Sequence, residues 1–120
     1  MLKDLSVSIL LDFYANALTN KQREVVALYY NEDLSLSEIA EHVGISRQGV
    51  RDSIKRGEAM LYDLEEKLGM VKRFDKMRSS IDKVLLNVDS IELQNQKFCS
   101  SKEISNCVDD IRNIIATLLD

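Results

Sequence analysis

None of the 120 residues is proline, and the only four glycines stand at positions 44, 49, 57 and 69. A many-stranded β fold needs frequent tight turns and uses both residue types to make them. A chain without that punctuation reads as all-α. Its length suits one compact domain, or a small module with an extension, and excludes two full domains. With 45% hydrophobic residues it can build a core without a disulfide or a metal.

Charge excludes another class. The chain carries 16 Lys/Arg against 20 Asp/Glu, a net charge of −4, which argues against a globally basic, sequence-indifferent nucleic-acid binder. A local basic face stays open. Residues 1–70 hold 8 basic and 12 acidic side chains and residues 71–120 hold 8 and 8, so the acidic surplus lies in the N-terminal part. Cys99 and Cys107 fit no CxxC pattern and the N-terminus is not a secretory signal, so reduced thiols in the cytoplasm are expected. The apolar run from Leu5 to Leu11 is broken by Ser6 and Ser8 and stopped by Asp12. That is far short of the roughly 20 residues that cross a bilayer. His42 is the only histidine, and no nucleophile motif or glycine-rich phosphate loop accompanies it. No enzyme, metal or cofactor is therefore expected.

Apolar spacing and capping residues divide the chain. Leu10, Leu11, Phe13, Tyr14 and Leu18 recur at helical intervals and predict a first helix over 5–18. Thr19-x-x-Gln22 and Ser35-x-x-Glu38 are capping boxes. The first opens a helix at about residue 20 that carries Val25, Val26, Leu28, Tyr29 and Tyr30; the second opens a short helix with Leu36, Ile39, Ala40 and Val43, closed by Gly44. Ser46 caps a fourth helix that buries Val50, Ile54, Leu61, Leu64 and Leu68. Beyond it Met77, Ile81, Val84, Val88 and Ile91 step 4, 3, 4, 3, and Ile104, Val108, Ile111, Ile115 and Leu118 step the same way. Leu85, Ile114 and Leu119 widen these stripes. Between them Gln94 to Ser101 reads as a loop, with Ser100-x-x-Glu103 as a further capping box. The two seams suit an intramolecular antiparallel hairpin, or one that also meets a second copy as a homodimer. The organisation is thus a helix-turn-helix domain with an N-terminal helix over 1–70, and a C-terminal helical extension over 71–120 that serves as a self-association surface.

Leu36 to Val50 has the spacing of a helix-turn-helix. Ala40 is small where the next helix crosses, Gly44 allows the positive φ of a tight turn, and Val43, Ile45 and Val50 fill the shared core. If the second helix of the pair enters a major groove, its outward N-terminal residues meet bases and phosphates. These are Ser46, Arg47, Gln48, Arg51 and Lys55, with Arg56 at the flank. Arg can take guanine bidentately, Gln can take adenine, and Ser46 at the helix N-terminus suits a phosphate. Asp52 opposes this, because it sits mid-face and repels phosphate. Gly49 weakens the helix by about 1 kcal/mol relative to Ala. The bland alternative is that Arg47, Arg51 and Lys55 are solvated charges, some paired with Asp52, Glu58 or Glu41. Four basic groups neutralise few phosphates, so a monomer should bind weakly and dimerisation would double the contact.

Residues 18–64, from Leu-Thr-Asn-Lys-Gln-Arg through Ser-Leu-Ser-Glu-Ile-Ala-Glu to Gly-Ile-Ser-Arg and beyond, resemble region 4 of bacterial sigma factors, which reads the −35 promoter element. A resemblance covering more of the chain rests on Leu-Leu-Asp-Phe-Tyr at 10–14, Leu-Thr-Asn-Lys-Gln-Arg at 18–23, Leu-Tyr-Tyr at 28–30, Ser-Arg-Gln at 46–48 and Ile-Lys-Arg-Gly-Glu-Ala-Met-Leu at 54–61. It is to the YlxM family of small bacterial helix-turn-helix proteins, and it holds to about residue 74. This resemblance implies a cytoplasmic, all-helical protein whose gene neighbours that of the signal recognition particle GTPase, with a part in that targeting pathway or its regulation. It carries over Arg47, Gln48 and Arg51 as recognition-helix positions. Gly49 departs from it, since a larger residue such as Ala is expected there. Three readings follow: a regulator that binds duplex DNA, an adaptor that contacts the particle's GTPase or RNA, and a self-associating scaffold.

Overall fold

The computed structural model describes residues 6–119, so of the expected first helix Leu5 lies outside the described residues. Among the described residues six α-helices and no strand occur: α1 (Ser6–Tyr14), α2 (Asn20–Tyr30), α3 (Leu36–Val43), α4 (Arg47–Leu68), α5 (Met70–Gln94) and α6 (Lys102–Leu119). The all-α expectation is met. The chain divides after Arg73 into two compact units.

Two capping boxes form as the sequence predicts. Thr19 Oγ1 accepts from the Gln22 N–H at 3.1 Å while Gln22 Oε1 accepts from the Thr19 N–H at 3.2 Å. Ser35 and Glu38 exchange the corresponding bonds at 3.1 and 3.0 Å. Each box satisfies donors that the first turn of a helix leaves orphaned. The first helix is shorter than expected. Its α-helical part stops at Tyr14 and tightens into a 3₁₀ turn over Ala15–Ala17 before Leu18 becomes extended.

In the first unit α2 and α4 each serve two apolar clusters. One holds Val7, Leu10, Leu11, Tyr14 and Leu18 against Val26 and Leu61. The other holds Val25, Tyr29, Ile39, Val50 and Ile54. Val25 and Val26 are neighbours in sequence, yet the helical period turns them toward different clusters. Each fully buried aliphatic side chain contributes roughly 1.5–3 kcal/mol relative to exposure. The two helices approach closely at Gly57. A Cβ there would meet Val26 Cγ2 at 2.7 Å, so the packing of α2 on α4 requires glycine.

A polar knot holds α1 to the α4–α5 turn. The Tyr14 hydroxyl donates to Glu65 Oε1 at 2.6 Å and accepts from the Met70 N–H at 3.1 Å. The Glu65 carboxylate also accepts from the Val71 and Lys72 N–H groups, at 3.0 and 3.2 Å. Three first-turn amides of α5 are satisfied in this way. Burial and the bond to Glu65 push the Tyr14 hydroxyl up. The same Tyr14 bond and the two amides hold Glu65 below the usual carboxylate range. Gly69, at φ 61°, makes the turn itself. Leu68, expected in the core, is half exposed. Leu64 before it and Val71 after it pack on the cluster around Leu61, and Leu68 does not.

In the second unit α5 and α6 run back along one another. Arg112 on α6 reaches Asp89 at 2.7 Å and Glu92 at 2.5 Å, both on α5. The connection corrects the expected loop over Gln94 to Ser101: the helical path continues as a π turn over Asn95–Cys99. Ser100 then adopts a left-handed conformation at φ 49°, so it does not cap α6. The cap moves one residue on, where Ser101 Oγ accepts from the Ile104 N–H at 3.3 Å. Buried Asn95 organises this turn. Its Oδ1 accepts from the Ser101 N–H at 2.8 Å, and its Nδ2 donates to Ser101 O at 2.9 Å and Ser105 Oγ at 3.1 Å.

Candidate nucleic-acid interface

The turn between α3 and α4 is Gly44-Ile45-Ser46. Gly44 adopts φ 78°, the left-handed conformation anticipated for it, and its N–H returns to Ala40 O at 2.9 Å. Ile39, Val50 and Ile54 are buried together, with Leu36, Ala40, Val43 and Ile45 packed around them. This shared core fixes the direction in which α4 leaves the turn.

Helix α4 buries Val50, Ile54, Gly57 and Leu61, a spacing that defines one face. Ser46, Arg47, Gln48, Arg51, Asp52, Lys55 and Arg56 are all exposed. With the described residues, the side chains of Arg47, Arg51, Lys55 and Arg56 make no hydrogen bond or ion pair. Two of the three suggested acidic partners, Asp52 and Glu58, are engaged otherwise. Gln48 Nε2 donates to Asp52 Oδ1 at 3.1 Å. Glu58 accepts from the Tyr30 hydroxyl, and burial together with that bond pushes the Tyr30 hydroxyl up.

Ser46 Oγ accepts from the Gly49 N–H at 3.0 Å, so it caps the helix and retains a hydroxyl proton to donate. A Cβ on Gly49 would stand 3.2 Å from that oxygen. The glycine that weakens the helix therefore also keeps its cap uncrowded.

The basic groups border two clefts. Arg47 and Arg51 line one of about 520 Å³ beside the α2–α3 connection, whose other wall includes Asp33 and Glu38. The Ser35 N–H and hydroxyl hold Glu38 below the usual carboxylate range, so its charge stays at that wall. Arg56 lines a second cleft of about 350 Å³ with Lys21, Thr19 and Gly49. Lys21 is a basic group that the sequence reading missed. Its signal was its place in the first turn of a capped helix, which is legible only once α2 is seen beside α4.

A three-residue turn with left-handed glycine, a shared apolar core and a second helix with one wholly exposed polar face define a helix-turn-helix protein. A family model described as "Putative helix-turn-helix protein, YlxM / p13 like", named UPF0122, matches residues 1–104. A UPF0122 protein of Acetivibrio thermocellus is 44% identical over 108 residues, covering 90% of this chain and 92% of its own. One from Halalkalibacterium halodurans is 47% identical over 87 residues, covering 72% and 80%. The chain belongs to the UPF0122 family. Among the described residues no helix is long and apolar enough to cross a membrane.

Proposed function

We propose that the chain is a regulatory protein that binds duplex DNA through the N-terminal half of α4. The observation that carries this reading is the set of four cations, Arg47, Arg51, Lys55 and Arg56, exposed and without ion pairs on the helix that such a turn presents. Ten residues of α4, Arg47 to Arg56, span about 15 Å, the scale of a major groove about 12 Å wide. Arg47 and Arg51 on one side, and Arg56 with Lys21 on the other, suit the phosphates that flank such a groove. Gln48, between them, is the base reader. Asp52 works against binding, and by holding the Gln48 amide it makes base reading wait on a broken hydrogen bond.

Four phosphate contacts give weak monomer binding that falls roughly a hundredfold over a fourfold rise in salt. A second subunit would double the contacts. The test is a titration of the full chain against a randomised duplex pool at two salt concentrations, alongside Arg47→Ala and Arg51→Ala. Binding that is steep in salt and weakened in both variants is expected. No duplex affinity at low salt, or variants that bind unchanged, would overturn the reading. The link to the signal recognition particle enters as further arms of the titration, with the particle RNA and its GTPase as ligands. Tighter binding there than to duplex is the outcome expected of an adaptor.

A further inference from the structure

The hairpin of α5 and α6 buries only one of its two apolar rows. Ile81 and Val88 on α5, and Val108 and Ile115 on α6, are each at most 9% exposed. Both pairs are seven residues apart. The second row repeats at the same interval and stays open: Met77, Val84 and Ile91 are 44–48% exposed on α5, and Leu118 is 60% exposed on α6. Ile104 and Ile111 complete it on α6, half-buried.

The open rows of the two helices meet. Ile91 from α5 lines an apolar groove of about 340 Å³ with Ile104, Cys107 and Ile111 from α6. The opposite flank of the hairpin is closed by Arg112, which bridges Asp89 and Glu92. The helical period places Asp89 and Glu92 to one side of buried Val88, and Val84 and Ile91 to the other. Leu86 and Leu93 point away from both flanks and form no part of this face.

We propose that this face is where two copies of the chain meet, their hairpins stacking antiparallel into a four-helix bundle. A row that repeats every seven residues packs knobs into holes against a row with the same repeat, and a second copy offers that row. Met77, Val84 and Ile91 are evenly spaced about Val84. A twofold axis there sets Val84 on Val84 of the second copy and Met77 on Ile91 of the second copy.

Charge selects the orientation. The open end of the hairpin is basic, with Lys72, Arg73, Lys76, Arg78 and Lys83 against Asp75 and Asp82. The end near the turn is acidic, with Asp89, Glu92, Glu103, Asp109 and Asp110 against Lys97, Lys102 and Arg112. Antiparallel stacking lays basic end on acidic end, whereas parallel stacking would lay like on like. The proposal does not depend on DNA binding, and its test contains no nucleic acid.

The mass of the full chain in solution is measured by sedimentation equilibrium from micromolar to near-millimolar concentration. Twice 13.7 kDa is expected at the upper end. Val84→Glu puts two carboxylates at the axis on a position already exposed in one chain. It should weaken the dimer at least about a hundredfold while the helical circular dichroism stays unchanged. Ile91→Lys is the second variant, with the same expectation. Orientation is read in a Cys99→Ser, Cys107→Ser background, where an equal mixture of Met77→Cys and Ile91→Cys chains should form mixed disulfide dimers and Met77→Cys alone should form none. A monomer at every concentration overturns the proposal, as does a dimer indifferent to both charge variants. Self-crosslinking of Met77→Cys overturns the antiparallel arrangement.

Discussion

The two units of this chain bury apolar side chains in different ways, and the contrast separates the part that completes its own core from the part that leaves a face open. In the first unit α2 and α4 each feed two clusters, and seven side chains from Val7 to Leu61 are almost wholly hidden. In the second, one narrow line of residues is covered and a parallel line is not. The first unit can spend its remaining surface on charge, which is where the exposed face of α4 arises. The second leaves an apolar row that repeats every seven residues, Met77, Val84 and Ile91, exposed.

The sharpest way to break this contrast is truncation at matched leucines. Leu61→Ala should destabilise the protein by about 2–5 kcal/mol, whereas Leu86→Ala on the outer side of α5 should stay within about 0.5 kcal/mol. Chemical denaturation of both variants checks it, and equal losses would erase the distinction. Gly57→Ala comes next, at about 1–3 kcal/mol, because the added methyl must displace Val26 from a fully buried position. Asn95→Ala should lose about 1–3 kcal/mol by leaving the Ser101 amide without its partner. Amide exchange should show that loss concentrated in the α5–α6 turn.

These two residues also show where sequence reading stops. The capping boxes at Thr19 and Ser35, the left-handed Gly44 and the Ser46 cap were legible because each is settled within four residues of chain. Gly57 was not, since its requirement comes from Val26, thirty-one residues away in sequence. Asn95 was not, because a buried polar side chain in a π turn leaves no periodic trace. The Ser100 box failed for a related reason: the left-handed backbone at that residue hands the cap to Ser101. Leu68 kept the helical spacing of a core residue, yet Leu64 and Val71 pack on the cluster and Leu68 does not. The outward residues of α4 were legible from the period alone. Lys21 was missed because it approaches Arg56 only through the packing of α2 on α4.

The smaller effects sharpen the contrast between a core and a charged face. Arg51→Ala should leave stability within about 0.5 kcal/mol and lower the salt slope of duplex binding by about one. Asp52→Asn should strengthen binding, since it removes a carboxylate from the face. Acid should act on the first unit through Glu65. Its carboxyl is held below its unfolded value, so its contribution is fully present above the usual carboxylate range and is lost as pH falls through the depressed folded value. Glu65→Gln should flatten that part of the stability curve, as read from thermal unfolding across acidic pH.

The most direct test of the central claim is to map duplex DNA onto the full chain by amide chemical shifts. Perturbations are expected at Arg47, Gln48, Arg51, Lys55 and Arg56 and at Lys21, with the amides of the α5–α6 hairpin unmoved. Shifts confined to the hairpin, or no shift anywhere at low salt, would contradict the assignment of α4 as the surface that meets nucleic acid.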